Sequence, residues 1–147
     1  MPLNAMSKLE KFESIGGRAS LIAINKVFYD KIYQHPWLKQ YFERIPQEHI
    51  EIQQVDFMQK VLGGKNIYVG KAPPVVHTHM FIPEELFDER KKLLCEAFEE
   101  THAHPELVDK WLSLDESFRR LIVKKAVTEC VRRFKTDPIL DFPDPRK

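Results

Sequence analysis

The sequence predicts an all-α fold, and three observations predict it. Apolar residues recur at intervals of three and four along most of the chain, no stretch alternates apolar and polar long enough to be a strand, and glycine is kept out of helical patterns. The five glycines stand at Gly16-Gly17, Gly63-Gly64 and Gly70. Each falls between one helical pattern and the next, where a residue that takes positive φ without steric cost can end a helix and turn the chain sharply.

The elements follow in order. After Gly16-Gly17, the residues Leu21, Ile24, Phe28 and Ile32 form one face of a helix of about four turns that stops near Gln34-His35-Pro36. A short connection, Trp37 to Phe42, leads to Pro46. Ile50, Phe57, Val61 and Leu62 then make a second buried face ending at Gly63-Gly64. Lys65 to Val76 reads mostly as loop, with Pro73-Pro74 imposing an extended approach to His77. Pro83-Glu84-Glu85 starts a helix with acidic residues in its first turn, and Leu86, Leu93, Leu94, Ala97 and Phe98 continue it inward. Ser113-Leu114-Asp115-Glu116 has capping-box spacing, and Phe118, Leu121, Ile122, Val127, Cys130, Val131 and Phe134 mark a long final helix.

A chain of 147 residues is most simply one domain, with a core over about 10–134 and a loosely held, proline-bearing tail over 135–147. The 23 basic and 22 acidic residues nearly cancel, which leaves no field to hold a polyanion and excludes nucleic acid or an anionic membrane as the main partner. Cys95 and Cys130 lie inside helical patterns rather than in a paired framework, so a reducing compartment is expected. Met1 to Met6 has no apolar leader core and no run reaches membrane-spanning length, so the expectation is a soluble, cytoplasmic protein.

Two polar residues fall on apolar faces. Gln54 lies four residues after Ile50 and three before Phe57, which puts an amide inside, and Tyr29 follows Phe28 on the inner side of its helix. An unpaired buried amide costs roughly 1–3 kcal/mol, so Gln54 needs a partner. Either the two residues bond each other and knit two helices, or both point at a bound ligand. His77 is open in the same way: a histidine near a helix start is an ordinary core or surface residue, or a ligand. The combination of inward Tyr, inward Gln, many aromatics and a His on a short glycine-bounded segment suits a planar apolar cofactor with an axial histidine.

In Phe12-Glu13-Ser14-Ile15-Gly16-Gly17, Val27-Phe28-Tyr29, Tyr41-Phe42, Gln54, Gly63-Gly64, Tyr68-Val69-Gly70, His77 and Phe87-Asp88, taken with their order and intervals, the chain resembles the truncated haemoglobins, and most of all their first class. The resemblance implies a two-over-two helical sandwich, here with an extended C-terminal helix and tail. It implies haem b (iron protoporphyrin IX) with His77 as the proximal iron ligand, chosen over His79. Phe42 would pack against the haem face, and Ile50, Phe57, Met58 and Phe87 would line the same pocket. Tyr29 and Gln54 would form the distal polar pair, with Gln53 a weaker member of that network, because Ile50 stands where other globins often place a distal histidine. Tyr68, Lys65 and Lys71 would reach the propionate edge; their alternative is a solvated loop.

The activity so implied is reversible binding or transport of O2 or a related diatomic gas such as NO or CO at ferrous iron. A phenol and an amide would slow release by hydrogen bonding. Oxidation of nitric oxide, served by an unidentified reductase, is the enzymatic alternative, and a gas sensor acting through the C-terminal helix is another. A monomer or weak dimer is expected.

Three features depart from the resemblance or compete with it. Arg90 falls between Leu86, Leu93 and Leu94 on the apolar face; the expectation is that it snorkels outward, the alternative that it reaches a propionate or the distal ligand. Met58 replaces an aromatic often found in this class. The pairs His77/His79 and His102/His104 leave room for a zinc-binding reading, and a helical interaction protein is the remaining alternative. His49 is adjacent to inward Ile50 and so turned by about 100° away from the pocket.

Overall fold

The computed structural model describes residues 6–147, and among them the secondary structure is helical, with one isolated bridge between Met80 and Leu140. Six α-helices run α1 (Lys8–Ser14), α2 (Gly17–Ile32), α3 (Gln47–Val61), α4 (Pro73–Val76), α5 (Glu84–Glu100) and α6 (Pro105–Ile122), with single 3-10 turns at Leu38–Phe42 and Val127–Glu129. The all-α, two-over-two expectation holds.

The glycine pair before α2 acts as expected. Gly16 and Gly17 have φ of 127° and 60°, a left-handed corner that a side chain would strain, and it redirects the chain from α1 into α2. Phe12 on α1 and Leu21, Ile24, Phe28 and Ile32 on α2 are essentially without solvent contact. Each such side chain contributes roughly 1.5–3 kcal/mol on burial, which is what holds helices of modest intrinsic propensity in place. α2 packs against both α3 and α5, so it is the shared wall of the two layers.

Three expectations fail for identifiable reasons. Pro73-Pro74 does not extend the chain: the two prolines occupy the first positions of α4, where a missing N–H costs nothing. The final helix begins at Pro105 and ends at Ile122, so Ser113 to Glu116 is helix interior rather than a start. His104 caps it instead, its Nδ1 accepting from the Glu106 N–H at 3.1 Å. Beyond Val123 the chain is no longer α-helical, and Leu121, Val127, Val131 and Phe134, expected inside, are all exposed.

The residues expected as a loose tail fold back on the body. The Trp37 indole N–H donates to the Phe142 carbonyl at 2.7 Å, the Phe142 ring packs edge-on against Tyr41 at 5.0 Å, and Asp137 is buried. A segment with three prolines and few apolar residues can be ordered because its backbone groups find partners elsewhere in the fold.

Candidate functional site

Between α2, α3, α5, α6 and the segment that carries His77 lies a cavity of about 390 Å³. That is within the usual range for small-molecule and cofactor sites. α2 contributes Phe28, Tyr29 and Ile32, and the 3-10 turn contributes Phe42. Ile50, Gln53, Gln54, Phe57 and Met58 come from α3, Tyr68 from the loop after it, and Phe87 and Arg90 from α5. His77 closes another side. Of the residues the resemblance assigns to the haem pocket and its distal pair, Lys65 is left out. It is exposed, and what it contributes is a main-chain carbonyl that accepts from the Gln59 amide at 2.8 Å. Lys71 does line the cavity.

His77 is held at its ring. It terminates α4, and its Nδ1 lies 2.5 Å from the Pro73 carbonyl one turn back. A carbonyl can only accept, so Nδ1 carries the proton and Nε2 keeps its lone pair. Burial pushes the imidazole pKa down to about 4; the Pro73 bond opposes this, and Arg90 and Lys124 add to it. The ring is therefore neutral at physiological pH, the form that binds a metal. His79, two residues on, is buried outside the cavity with Nδ1 4.0 Å from an Asp137 carboxylate oxygen. Of the two histidines, only His77, the one the resemblance favours, lines the cavity.

Tyr29 is buried, with its ring edge-on to Phe28 at 4.9 Å and to Phe42 at 6.1 Å. Burial holds its phenol well above the usual tyrosine range, despite Arg90, so it stays protonated and able to donate. No hydrogen bond joins Tyr29 to Gln54 among the described residues, so the two do not simply knit α2 to α3. Tyr68 spends its hydroxyl on the Lys71 carbonyl at 2.7 Å and stacks edge-on with Phe57 at 5.2 Å. His49 is exposed.

Arg90 does not snorkel outward. It turns into the cavity wall and makes a two-pronged pair with Asp115 on α6, at 2.6 and 3.1 Å, while its guanidinium lies 4.9 Å from the Phe87 ring and 5.7 Å from that of Phe28. Burial works against the charge, but the Asp115 carboxylate outweighs it and leaves the Arg90 pKa above its ordinary value. Asp115 was missed in the sequence, although a signal existed. Leu107, Trp111 and Asp115 are spaced by four, and all three are buried on one face of α6. A helix started at Ser113 hides that register.

No group of three or more His, Cys, Asp or Glu residues is placed to hold a metal ion among the described residues, and His104 is occupied as a helix cap.

An aromatic-walled cavity with one imidazole at its edge lies between two helical layers, as a globin-like site requires. The chain belongs to the bacterial-like globin family, whose model matches residues 10–124, and within it is a truncated globin. It is 38% identical over 77 residues to the Group 1 truncated hemoglobin of Tetrahymena thermophila, a match spanning 52% of this chain and 64% of that protein. The crystal structure of the truncated hemoglobin from Tetrahymena pyriformis in its Fe(III) form superposes with a TM-score of 0.69 at 26% identity, covering 78% of this chain and 97% of that one. The Group II truncated hemoglobin from Bacillus anthracis gives 0.71 at 20% identity, covering 84% and 93%, and shares the fold.

Proposed function

We propose that this protein binds haem b through His77 and uses the cavity to hold O2 or a related diatomic gas reversibly, as a globin most like the first class. The observation that carries the reading is the convergence on one cavity of a neutral histidine with a free Nε2 and of Tyr29 and Gln54. Supporting it is the fit of the walls: Phe42, Ile50, Phe57, Met58 and Phe87 offer an apolar slot, and Tyr68 and Lys71 lie beside one another in the loop at its edge. Haem, when bound, supplies a redox-active iron that takes a diatomic ligand.

The chain's own residues do the rest. The Pro73 carbonyl holds the Nδ1 proton of His77, which fixes the ring and keeps Nε2 directed to ligation. The Tyr29 phenol and the Gln54 amide are donors in a water-poor pocket, where a bond to a ligand that gains negative charge is stronger than in water. Gln53 is exposed and has less to offer. Cys95 and Cys130 are free thiols, which suits a reducing, cytoplasmic setting, and no helix among the described residues is long and apolar enough to cross a membrane.

The test is the absorption spectrum of the purified protein, ferric and then reduced with and without CO, beside a His77→Ala variant. The expected result is a Soret band that moves sharply with CO and is altered or lost in the variant. Failure to take up added haemin would overturn the reading.

A further inference from the structure

The last part of the chain lies outside the family match, which stops at residue 124. It is laid across the short non-helical segment that leads from His77 to α5. Read along that segment, six consecutive main-chain carbonyls have partners. His77 O accepts from the Lys124 ammonium at 2.9 Å, and Met80 O from the same group at 2.8 Å. Thr78 O accepts from the Val131 N–H at 2.8 Å, His79 O from the Leu140 N–H at 2.9 Å and Ile82 O from the Lys124 N–H at 2.9 Å. The sixth, Phe81 O, takes the Tyr41 hydroxyl at 2.9 Å, while the Phe81 N–H returns a bond to Leu140 O at 2.7 Å. Lys124 spends its third donor on the Ile122 carbonyl at 3.3 Å, so one ammonium ties the end of α6 to both ends of the His77 turn.

The segment from Val123 to Phe142 is itself braced. Arg133 lines the cavity and is held to buried Asp137 by two bonds of 2.9 Å, and the far end is pinned by Trp37 and Tyr41. His77 O also accepts locally from the Met80 N–H at 3.1 Å, but without the C-terminal segment the Thr78, His79, Met80 and Ile82 carbonyls would be left to water, and the turn would be freer to rock.

We propose that residues 123–142 form a clamp that fixes the main chain of His77, with Lys124 as the positioning residue, so that the imidazole is held at both its ring and its backbone. This rests on the haem-binding reading above. Ring and backbone are secured by different elements: the Pro73 carbonyl sets the tautomer, and Lys124 sets where the residue stands. Lys124 acts through the His77 main chain, at a different atom from the ring's own partner.

The experiment compares the full-length wild type with Lys124→Met and Lys124→Arg, each loaded with haem. The iron–histidine stretching band of the ferrous protein is read by resonance Raman, and the rate of ferric haem loss to an excess of a haem-scavenging globin is read by absorbance. A clamp predicts a shifted or broadened band and haem loss about tenfold faster in Lys124→Met, with Lys124→Arg lying between it and the wild type. A purely structural role would lower the melting temperature without moving the band. If Lys124→Met does not fold, Arg133→Gln, which loosens the segment away from His77, must give the same change in smaller measure. An unmoved band with unchanged haem loss overturns the clamp while leaving haem binding intact. If the wild type takes up no haem, the functional reading falls first. The clamp is then judged by hydrogen exchange at the Phe81 and Leu140 amides of the apoprotein, which must quicken in Lys124→Met if it stands.

Discussion

The two sides of the cavity handle polar groups in opposite ways. On the α2 and α3 side, Tyr29 and Gln54 sit among apolar side chains with no hydrogen bond between them among the described residues. Around His77 and along α6 most polar groups are bonded instead, the buried His79 Nδ1 excepted: the Pro73 carbonyl takes the His77 Nδ1 proton, the C-terminal segment and Tyr41 take the carbonyls, and Asp115 takes Arg90. The difference teaches which side is built to respond to a ligand and which to stay still. A donor left unpaired in a dry pocket costs stability and is useful only to something that arrives later, whereas a fully bonded wall costs adaptability and gives one fixed geometry.

The largest expected effect comes from breaking the bonded side at its most buried charge pair. Arg90→Ala leaves the Asp115 carboxylate without its partner and should cost about 3–5 kcal/mol in a denaturant titration. The double variant Arg90→Met with Asp115→Leu should recover most of that loss, since both charges leave together; no recovery would mean the pair is not what holds α5 to α6. Tyr29→Phe strikes the open side. It should raise O2 release about tenfold, measured by stopped flow, with little change in stability, because the hydroxyl has no protein partner to lose.

A smaller effect is expected at Asp137. The Arg133 guanidinium beside it holds its carboxyl well below the usual carboxylate range. A carboxylate whose pKa is lowered by folding contributes stability that is present above its unfolded pKa and is lost as pH falls through the folded one. The gap in melting temperature between wild type and Asp137→Asn should therefore be full near pH 7 and shrink below about pH 4. A gap that is the same at both pH values would sink the assignment. The smallest effect belongs to Gln53→Ala, which should change O2 release less than twofold, against several-fold for Gln54→Leu. Equal effects would erase the distinction between an exposed amide and a half-buried one.

What could be read in advance and what could not divides along physical lines. Gly16-Gly17 and the spacing of Leu21, Ile24, Phe28 and Ile32 located α2 closely, because helical periodicity and positive φ are properties of neighbouring residues. The same register brought Tyr29 and Gln54 inward. It failed for α6, whose start at Pro105 is capped by a histidine rather than by a residue commonly found there, and the misplaced start concealed Asp115. It also failed at Pro73-Pro74, which are compatible with either an extended chain or the first turn of a helix.

The sequence by itself determined the helical class, the bounds of α2, the inward register of Tyr29 and Gln54 and the candidacy of His77, since each depends on residues within a few positions of one another. Tertiary structure alone decided the direction of Arg90, whose partner is 25 residues away on another helix. It alone placed His77 at the cavity and His79 outside it, and it alone turned residues 123–142, expected as the end of a long helix and the start of a loose tail, into a braced segment against His77. That brace is made of bonds to main-chain carbonyls about 50 residues distant, from the Lys124, Val131 and Leu140 amides and from the Lys124 ammonium. Nearly any residue can supply an amide bond and a single lysine makes no pattern, so the sequence does not announce it.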